Sequence, residues 1–477
     1  MTSSVEVMEA PGEALPTHVR VGYSLGSLTT GAFGTVPGLL LLPYLTDTLG
    51  VAAGLAGLLV LLPKAWDVVL NPLVGRISDR TQTRWGARRP YLLFAGLGMA
   101  ALFAGIFAAP LGISAYSGLY VVVMFLLTAT AFGFFQVPYV AMPAEMTSSP
   151  DERTRLMTWR VALLATSILV SGALAPIIRD STGGGVPGYR WMGLFVAAIM
   201  VAGTCFAFFS TAKAPTGVIT ASEPSLRVQL KVVAANRPFR VLVACFVVQA
   251  TGVACMLGGV EYFARHVLGD PGTTTTLFVV VVSPALVVMP FWRRVGERLG
   301  KLKGYVVASI TLTVATLVLV AAPVLPNWAV YAIIAVIGFG YAGQQLFGLA
   351  MLPDCIAYDT ARTGKRQAGV FTGVWTAGET LGLALGPFIF GIVLQAFGYI
   401  STTAGMTVTQ TDSARTGVLL GFTVVPGLIV GIALVLLRGY DLGDMPAATQ
   451  SAPAKTKVRT VAGRSTSPGT TTPYDAD

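Results

Sequence analysis

Apolar residues in this chain arrive in long blocks separated by short polar stretches. Twelve blocks stand out, near 22–46, 51–76, 91–110, 116–143, 157–178, 190–211, 239–264, 275–293, 305–323, 327–353, 368–396 and 416–438. A helix needs about 20 mostly apolar residues to cross the hydrocarbon of a bilayer. Each block therefore predicts one spanning helix, and the longer ones leave room for tilt. Barrel strands are excluded, because the blocks are too long and do not alternate apolar with polar positions. The expected fold class is an all-α membrane protein of twelve transmembrane helices in two six-helix bundles. The predicted organisation is a tail over 1–21, a bundle over 22–212, a polar linker over 213–237, a second bundle over 238–438 and a tail over 439–477. The last segment is rich in Ser, Thr, Pro and Lys, a composition that predicts disorder.

Composition agrees with that pattern. Hydrophobic residues make up 54% of the 477 and charged residues only 11%, where a soluble domain carries about 25% charged. A net charge of +10 would point to nucleic acid in a soluble protein. Here its placement reads as topology instead. Loops that follow even-numbered blocks hold twenty of the 32 Lys and Arg residues, and the opposite loops hold four. Basic loops stay cytoplasmic, so both termini are expected in the cytoplasm of a multi-pass protein in the plasma membrane. The expected partners are the lipid bilayer and a small-molecule substrate, with no nucleic acid. A monomer is assumed, since lipid-facing and partner-facing surfaces look alike in sequence. Residues 1–20 carry Glu6, Glu9, Glu13, Pro11 and Pro16 and no apolar core, so the first helix is expected to direct insertion. The four cysteines form no Cys-x-x-Cys, and two histidines make no metal cluster. No metal, cofactor or enzymatic nucleophile–base set is expected.

After the second block comes Gly75-Arg76-Ile77-Ser78-Asp79-Arg80-Thr81-Gln82-Thr83-Arg84-Trp85-Gly86-Ala87-Arg88-Arg89-Pro90. Gly75 suits a close helix approach. Asp79 can pair with Arg80, Arg84, Arg88 or Arg89 across the cytoplasmic face, and breaking such pairs would accompany opening. A weaker echo follows the eighth block, Arg293-Arg294-Val295-Gly296-Glu297-Arg298-Leu299-Gly300-Lys301. The same motif at the same rank in each half is an internal repeat, as in alternating-access transporters. Gly378, Gly382 and Gly386 lie four apart in the eleventh block, the spacing of a helix-packing face.

Six plus six helices with this loop resemble the major facilitator superfamily. More narrowly, Trp66-Asp67-Val68-Val69-Leu70-Asn71-Pro72 and Arg80-Thr81-Gln82-Thr83-Arg84-Trp85-Gly86 resemble the glycoside–pentoside–hexuronide:cation symporters, typified by melibiose permease. Val137-Pro138-Tyr139, Glu152-Arg153-Thr154-Arg155 with Arg160, Met351-Leu352-Pro353-Asp354 with Tyr358-Asp359, and Gly364-Lys365-Arg366 agree. The resemblance covers nearly the whole chain between the tails. It implies a secondary transporter that moves a sugar or glycoside by alternating access with H+ or Na+. It also adds Asp354, Asp359 and Arg366 to the cytoplasmic gate. The same pattern occurs in lysolipid symporters, so an amphiphile is a second expected substrate class. A non-transporting membrane sensor is a third reading, and transport against a gradient would separate it from the others.

Residues inside the blocks point to the cation path. Lys64, Asp67 and Asn71 are spaced to share one face of the second helix. Asp67 lies about 13 Å from Arg76 along the axis, and Glu379 about 16 Å into its block. Charges at that depth are functional by default. In the resembled family the second helix carries two carboxylates, of which Asp67 matches the first; Asn71 stands at the second. Glu379 stands where the family usually has lysine. Lys64 is thus expected to pair with Asp67 or with Glu379, or Glu379 to replace the acid lost at Asn71. A carboxyl in a water-poor cavity holds a proton more readily, which favours H+ as the coupling ion. For substrate the candidates are Arg160, which matches a family arginine, Gln136, and the aromatics Tyr23, Tyr120, Tyr139 and Trp375. Sugar-binding positions of the family fall on Gly31, Gln136 and Val140, a departure from its galactoside pattern.

Overall fold

The computed structural model describes residues 15–109, 116–147, 149–214, 226–364, 368–406 and 408–441. The apolar blocks fold as helices in the expected order. They are α1 Thr17–Thr48, α2 Ala53–Arg80, α3 Arg89–Ile106, α4 Ser117–Met146, α5 Pro150–Ser181 and α6 Gly185–Ser210. The second half has α7 Arg237–His266, α8 Thr273–Val287 with Met289–Leu299, α9 Lys301–Val324, α10 Asn327–Thr363, α11 Ala368–Ala396 and α12 Asp412–Leu437. Among the described residues eleven of these cross as single helices, and α8 makes a twelfth with its two parts bent by 54°. Pro284 and Pro290 flank that bend, and each removes a backbone donor from the helix. Helix starts follow local chemistry: the side chains of Ser149, Asn236 and Thr411 accept from the backbone N–H groups of Glu152, Phe239 and Ala414. The linker departs from expectation, because its described part contains a short helix, Leu226–Ala235, packed on α7 and α11.

The faces of α2 are reversed relative to a soluble helix. Leu55, Leu58, Leu62, Val69 and Leu73 are exposed, while Lys64 and Asp67 are buried with Val60, Leu70 and Val74. In lipid an outward apolar stripe costs nothing, so burial selects the face that carries polar chemistry. That selection positions the candidate site.

The two halves use matching contacts. In the first, α1 packs on α5 and α3 on α4; in the second, α7 packs on α11 and α9 on α10. Across the halves α2 meets α11 and α5 meets α8, again a matched pair, and α1 meets α7. The glycine face of α11 packs as its spacing predicts. A methyl group on Gly382 would lie 2.7 Å from the Val247 carbonyl oxygen, and one on Gly386 would press into the backbone of Ala254 and Cys255.

Contacts between the halves gather at the end remote from the basic loops, called the outer end below after the orientation expected from those loops. The Gly54 amide donates to Gln395 Oε1 at 2.9 Å, and the amides of Thr402 and Ala404 donate to the carbonyls of Thr46 and Thr48 at 2.9 and 3.0 Å. Gly391 faces the Ala53 carbonyl so closely that a Cβ there would lie 2.6 Å from it. At the basic end, the ion pairs among the described residues run within one half. Arg20 meets Glu152 at 3.1 Å, Arg88 meets Glu145 at 2.8 Å and Lys301 meets Asp354 at 2.7 Å. Among the described residues, hydrogen bonds cross the seam at the outer end and no ion pair crosses it at the basic end.

Candidate functional site

Pro63 precedes the site on α2; Lys64 and Asp67 project from its buried face, and Asn71 is half-buried. Asp67 is 3% exposed, and its Oδ1 has no hydrogen-bond partner. Lys64 is the charge that acts on it, yet no ion pair within 4.0 Å joins them. The Lys64 ammonium lies 5.8 Å from the centre of the Phe33 ring of α1. A buried carboxylate oxygen without a donor is expensive, so this oxygen is open to a proton or a cation. Asn71 turns its Oδ1 toward α4, where a Cβ on Gly133 would lie only 3.1 Å away. Gly133 thus leaves room for the Asn71 amide. On the expectation of cation-coupled transport, Gly133→Ala should displace that amide and weaken the apparent affinity for the coupling cation several-fold, with little loss of stability. Uptake rates measured across cation concentration check this, and an unchanged cation dependence would refute it.

Glu379 is separate from this pair. It lines a small cavity of the second half with Gln249, Tyr341, Gln344 and Gln345, where Gln345 Nε2 donates to the Tyr341 hydroxyl at 3.1 Å. Among the described residues no ion pair joins it to Lys64. The expected Lys64–Glu379 pair does not form in this conformation, and the cavity that Glu379 lines includes neither Lys64 nor Asn71. The reason is that α11 crosses α2 at the outer end, while at mid-height Glu379 faces α7 and α10.

The aromatic candidates also move. Tyr23 and Tyr139 are fully buried and stacked at 4.6 Å, and each donates its hydroxyl to the other's backbone carbonyl, at 2.8 and 2.9 Å. They clamp α1 to α4 and have no hydroxyl left for a substrate. Tyr120 sits in the first turn of α4 and donates to the Gly105 carbonyl at 2.9 Å, far from mid-membrane. Trp375 is buried against Phe246 at 4.0 Å, with its indole N–H unpartnered. Arg160 lies 5.3 Å above the Tyr139 ring with Nε unpartnered, and Gln136 Oε1 is unpartnered as well. Gln136 and Arg160 thus keep free polar groups in the first half, as Gln344 Nε2 does in the second.

At the basic end Arg88 pairs with Asp79 and bonds Ser78, all within the first half. Arg80 and Arg84 are exposed, with Arg84 over Trp85 at 4.9 Å. Arg89 donates to the Phe208 carbonyl at 3.0 Å. A methyl on Gly75 would meet Val137 at an ordinary 3.8 Å, so no close approach depends on that glycine here. Asp359 is buried with Oδ2 unpartnered and Arg362 3.8 Å away; Arg366 lies outside the described residues. Pairing of Asp79 with an arginine occurs, but within one half rather than between halves.

Sequence reading passed over two features. One is a buried chain in which Tyr305 donates to Gln249 at 2.6 Å and Gln249 to Ser309 at 2.8 Å. The other is an outer cluster of Asp47, Arg179, Glu261 and Arg265. Glu261 was findable as an acid inside the seventh apolar block. Among the described residues no group of three or more His, Cys, Asp or Glu side chains gathers as a metal site would.

The family profile described as "MFS/sugar transport protein" matches residues 22–444. The putative glycoside/cation symporter YagG of Escherichia coli (strain K12) is 26% identical over 89% of this chain and 92% of its own. The glucuronide carrier protein homolog of the same organism is 27% identical over 91% and 94%. Among solved structures, a bacterial homolog of the human lysosomal transporter Spinster, in an inward-facing and occupied conformation, superposes with a TM-score of 0.63 at 13% identity over 88% of this chain and 95% of that one. The last likeness concerns the fold alone.

Proposed function

Because this chain belongs to the MFS/sugar transport protein family of multi-pass membrane transporters, we propose that it is a cation symporter for a sugar or glycoside in the plasma membrane. The single observation that carries the coupling is Asp67, a buried mid-membrane carboxylate with an unpartnered oxygen beside Lys64 and Asn71. Relatives named for glycoside/cation symport and glucuronide carriage support the substrate class. H+ is favoured over Na+, because Na+ is held by several oxygens and Asp67 with Asn71 offers a single negative charge. Gln136 and Arg160 in the first half, and Gln344 and Glu379, which line a small cavity within the second, supply polar groups for substrate hydroxyls. Both termini are read as cytoplasmic on the strength of the basic loops, and a monomer is assumed.

Transport in proteoliposomes tests this. Labelled glycosides and hexuronides are offered under an imposed pH gradient or an imposed Na+ gradient. Accumulation above equilibrium under the pH gradient supports the reading. Accumulation under Na+ alone corrects the ion, and equilibration without accumulation removes the coupling. Flux of a lysolipid with none of any sugar would replace the substrate class.

A further inference from the structure

We propose that Asp47, Arg179, Glu261 and Arg265 form the outer gate of the transport cycle, an ion-pair latch whose charge balance sets how readily the outer end opens. Arg179 ends α5 in the first half, and Glu261 belongs to α7 in the second; they meet at 3.0 Å and are 2% and 0% exposed. Arg265, one turn along α7, joins the same Glu261 oxygen at 2.7 Å and reaches back to Asp47 of α1 at 3.3 Å. Tyr399, just past α11, donates to the other Asp47 oxygen at 2.9 Å. Burial, reinforced by the Asp47 carboxylate, holds the Tyr399 phenol far above its usual range, so it stays a donor. Thr274 of α8 donates to Glu261 Oε2 at 2.9 Å. Asp180 and Tyr189 complete the shell of Arg179 from α5 and α6, at 2.7 and 3.4 Å. Two cations and two anions thus alternate across the seam, every carboxylate oxygen among them bonded.

The chemistry suits a gate better than a fastener. A buried ion pair seldom outweighs well-packed apolar side chains of the same volume, because desolvation offsets the attraction. The same charges are well hydrated once the outer end opens. Closed and open arrangements are thereby brought near balance, which a transporter that must visit both requires. An apolar seam would favour closure alone. At the basic end the ion pairs of the described residues stay within a half, so in this conformation charged cross-half latching belongs to the outer end.

Removing Glu261 leaves Arg179 and Arg265 facing each other in the closed seam without a shared anion. Breaking one partner of a buried pair is strongly unfavourable, so Glu261→Gln is expected to lower the closed-to-open ratio at least about a hundredfold. The full-length protein in nanodiscs, with Cys205→Ser, carries spin labels at Tyr116→Cys and Met406→Cys, both exposed at the outer end of opposite halves. Pulsed dipolar distances should move from a short population to a longer one in Glu261→Gln. Adding Arg179→Gln, which removes one of the two cations that had shared Glu261, should return the short population. A folded Glu261→Gln protein that keeps the wild-type distances overturns the proposal, as does a shift that Arg179→Gln leaves uncorrected. If Glu261→Gln does not fold, Arg265→Gln is read the same way, since it strips Asp47 of its cross-half cation. No substrate is needed, so the outcome is independent of which solute is carried.

Discussion

Replacing Asp67 by asparagine is expected to abolish gradient-driven accumulation while leaving downhill exchange of the substrate intact. The side chain keeps its shape but can no longer take up and release a proton within the membrane. The role proposed for it rests on position: the carboxylate is 3% exposed and one oxygen is unpartnered, so an uncompensated charge there is costly. Each charge moved across 100 mV is worth about 2.3 kcal/mol, or roughly a 50-fold concentration ratio. That ratio should fall to one in Asp67→Asn, measured as labelled substrate inside proteoliposomes at steady state. Retained accumulation would remove Asp67 from the coupling path. Glu379→Gln separates the two acids. Its carboxylate sits among the neutral Gln249, Tyr341, Gln344 and Gln345, so the variant should keep accumulating while binding substrate more weakly. Loss of accumulation in both variants would mean that the acids share the proton.

The largest expected effect on stability comes from Gly386→Leu. The α7–α11 contact forms the centre of the second half, and a Cβ at Gly386 would enter the backbone of Ala254 and Cys255. Overpacking costs about 1–3 kcal/mol where side chains can yield, and backbone yields less. Against a total of about 5–15 kcal/mol, the thermal midpoint in detergent should drop by many degrees. Gly98→Leu is the matched control, since a Cβ on that α3 glycine meets nothing within 4 Å. Equal midpoints for the two variants would show that glycine contact does not hold α7 on α11.

Much of this was legible in the residues. Spans are legible because a bilayer imposes a length and forbids unpaired backbone. The face of α2 is legible because Lys64, Asp67 and Asn71 recur at helical spacing inside an apolar block. The Gly378–Gly382–Gly386 face is legible for the same reason. Other features leave little trace. Tyr23 and Tyr139 look like cavity aromatics, and nothing nearby in the chain says that each hydroxyl ends on the other's carbonyl across α1 and α4. Glu261 sits four residues before Arg265 and reads as an ordinary pair along one helix. Arg179, 82 positions earlier, shares its oxygen only because α5 and α7 converge at the outer end.

Local rules therefore settled the number of spans, their order, the repeat of the halves and the acid on α2, since each depends on transfer from water to lipid or on helical periodicity. Tertiary packing decided which charges meet. It kept Glu379 from Lys64, drew Asp47, Arg179, Glu261 and Arg265 together, and sealed one end of the seam. Such pairings rest on distances between helices far apart in the chain, and a change of conformation rewrites them without changing a residue.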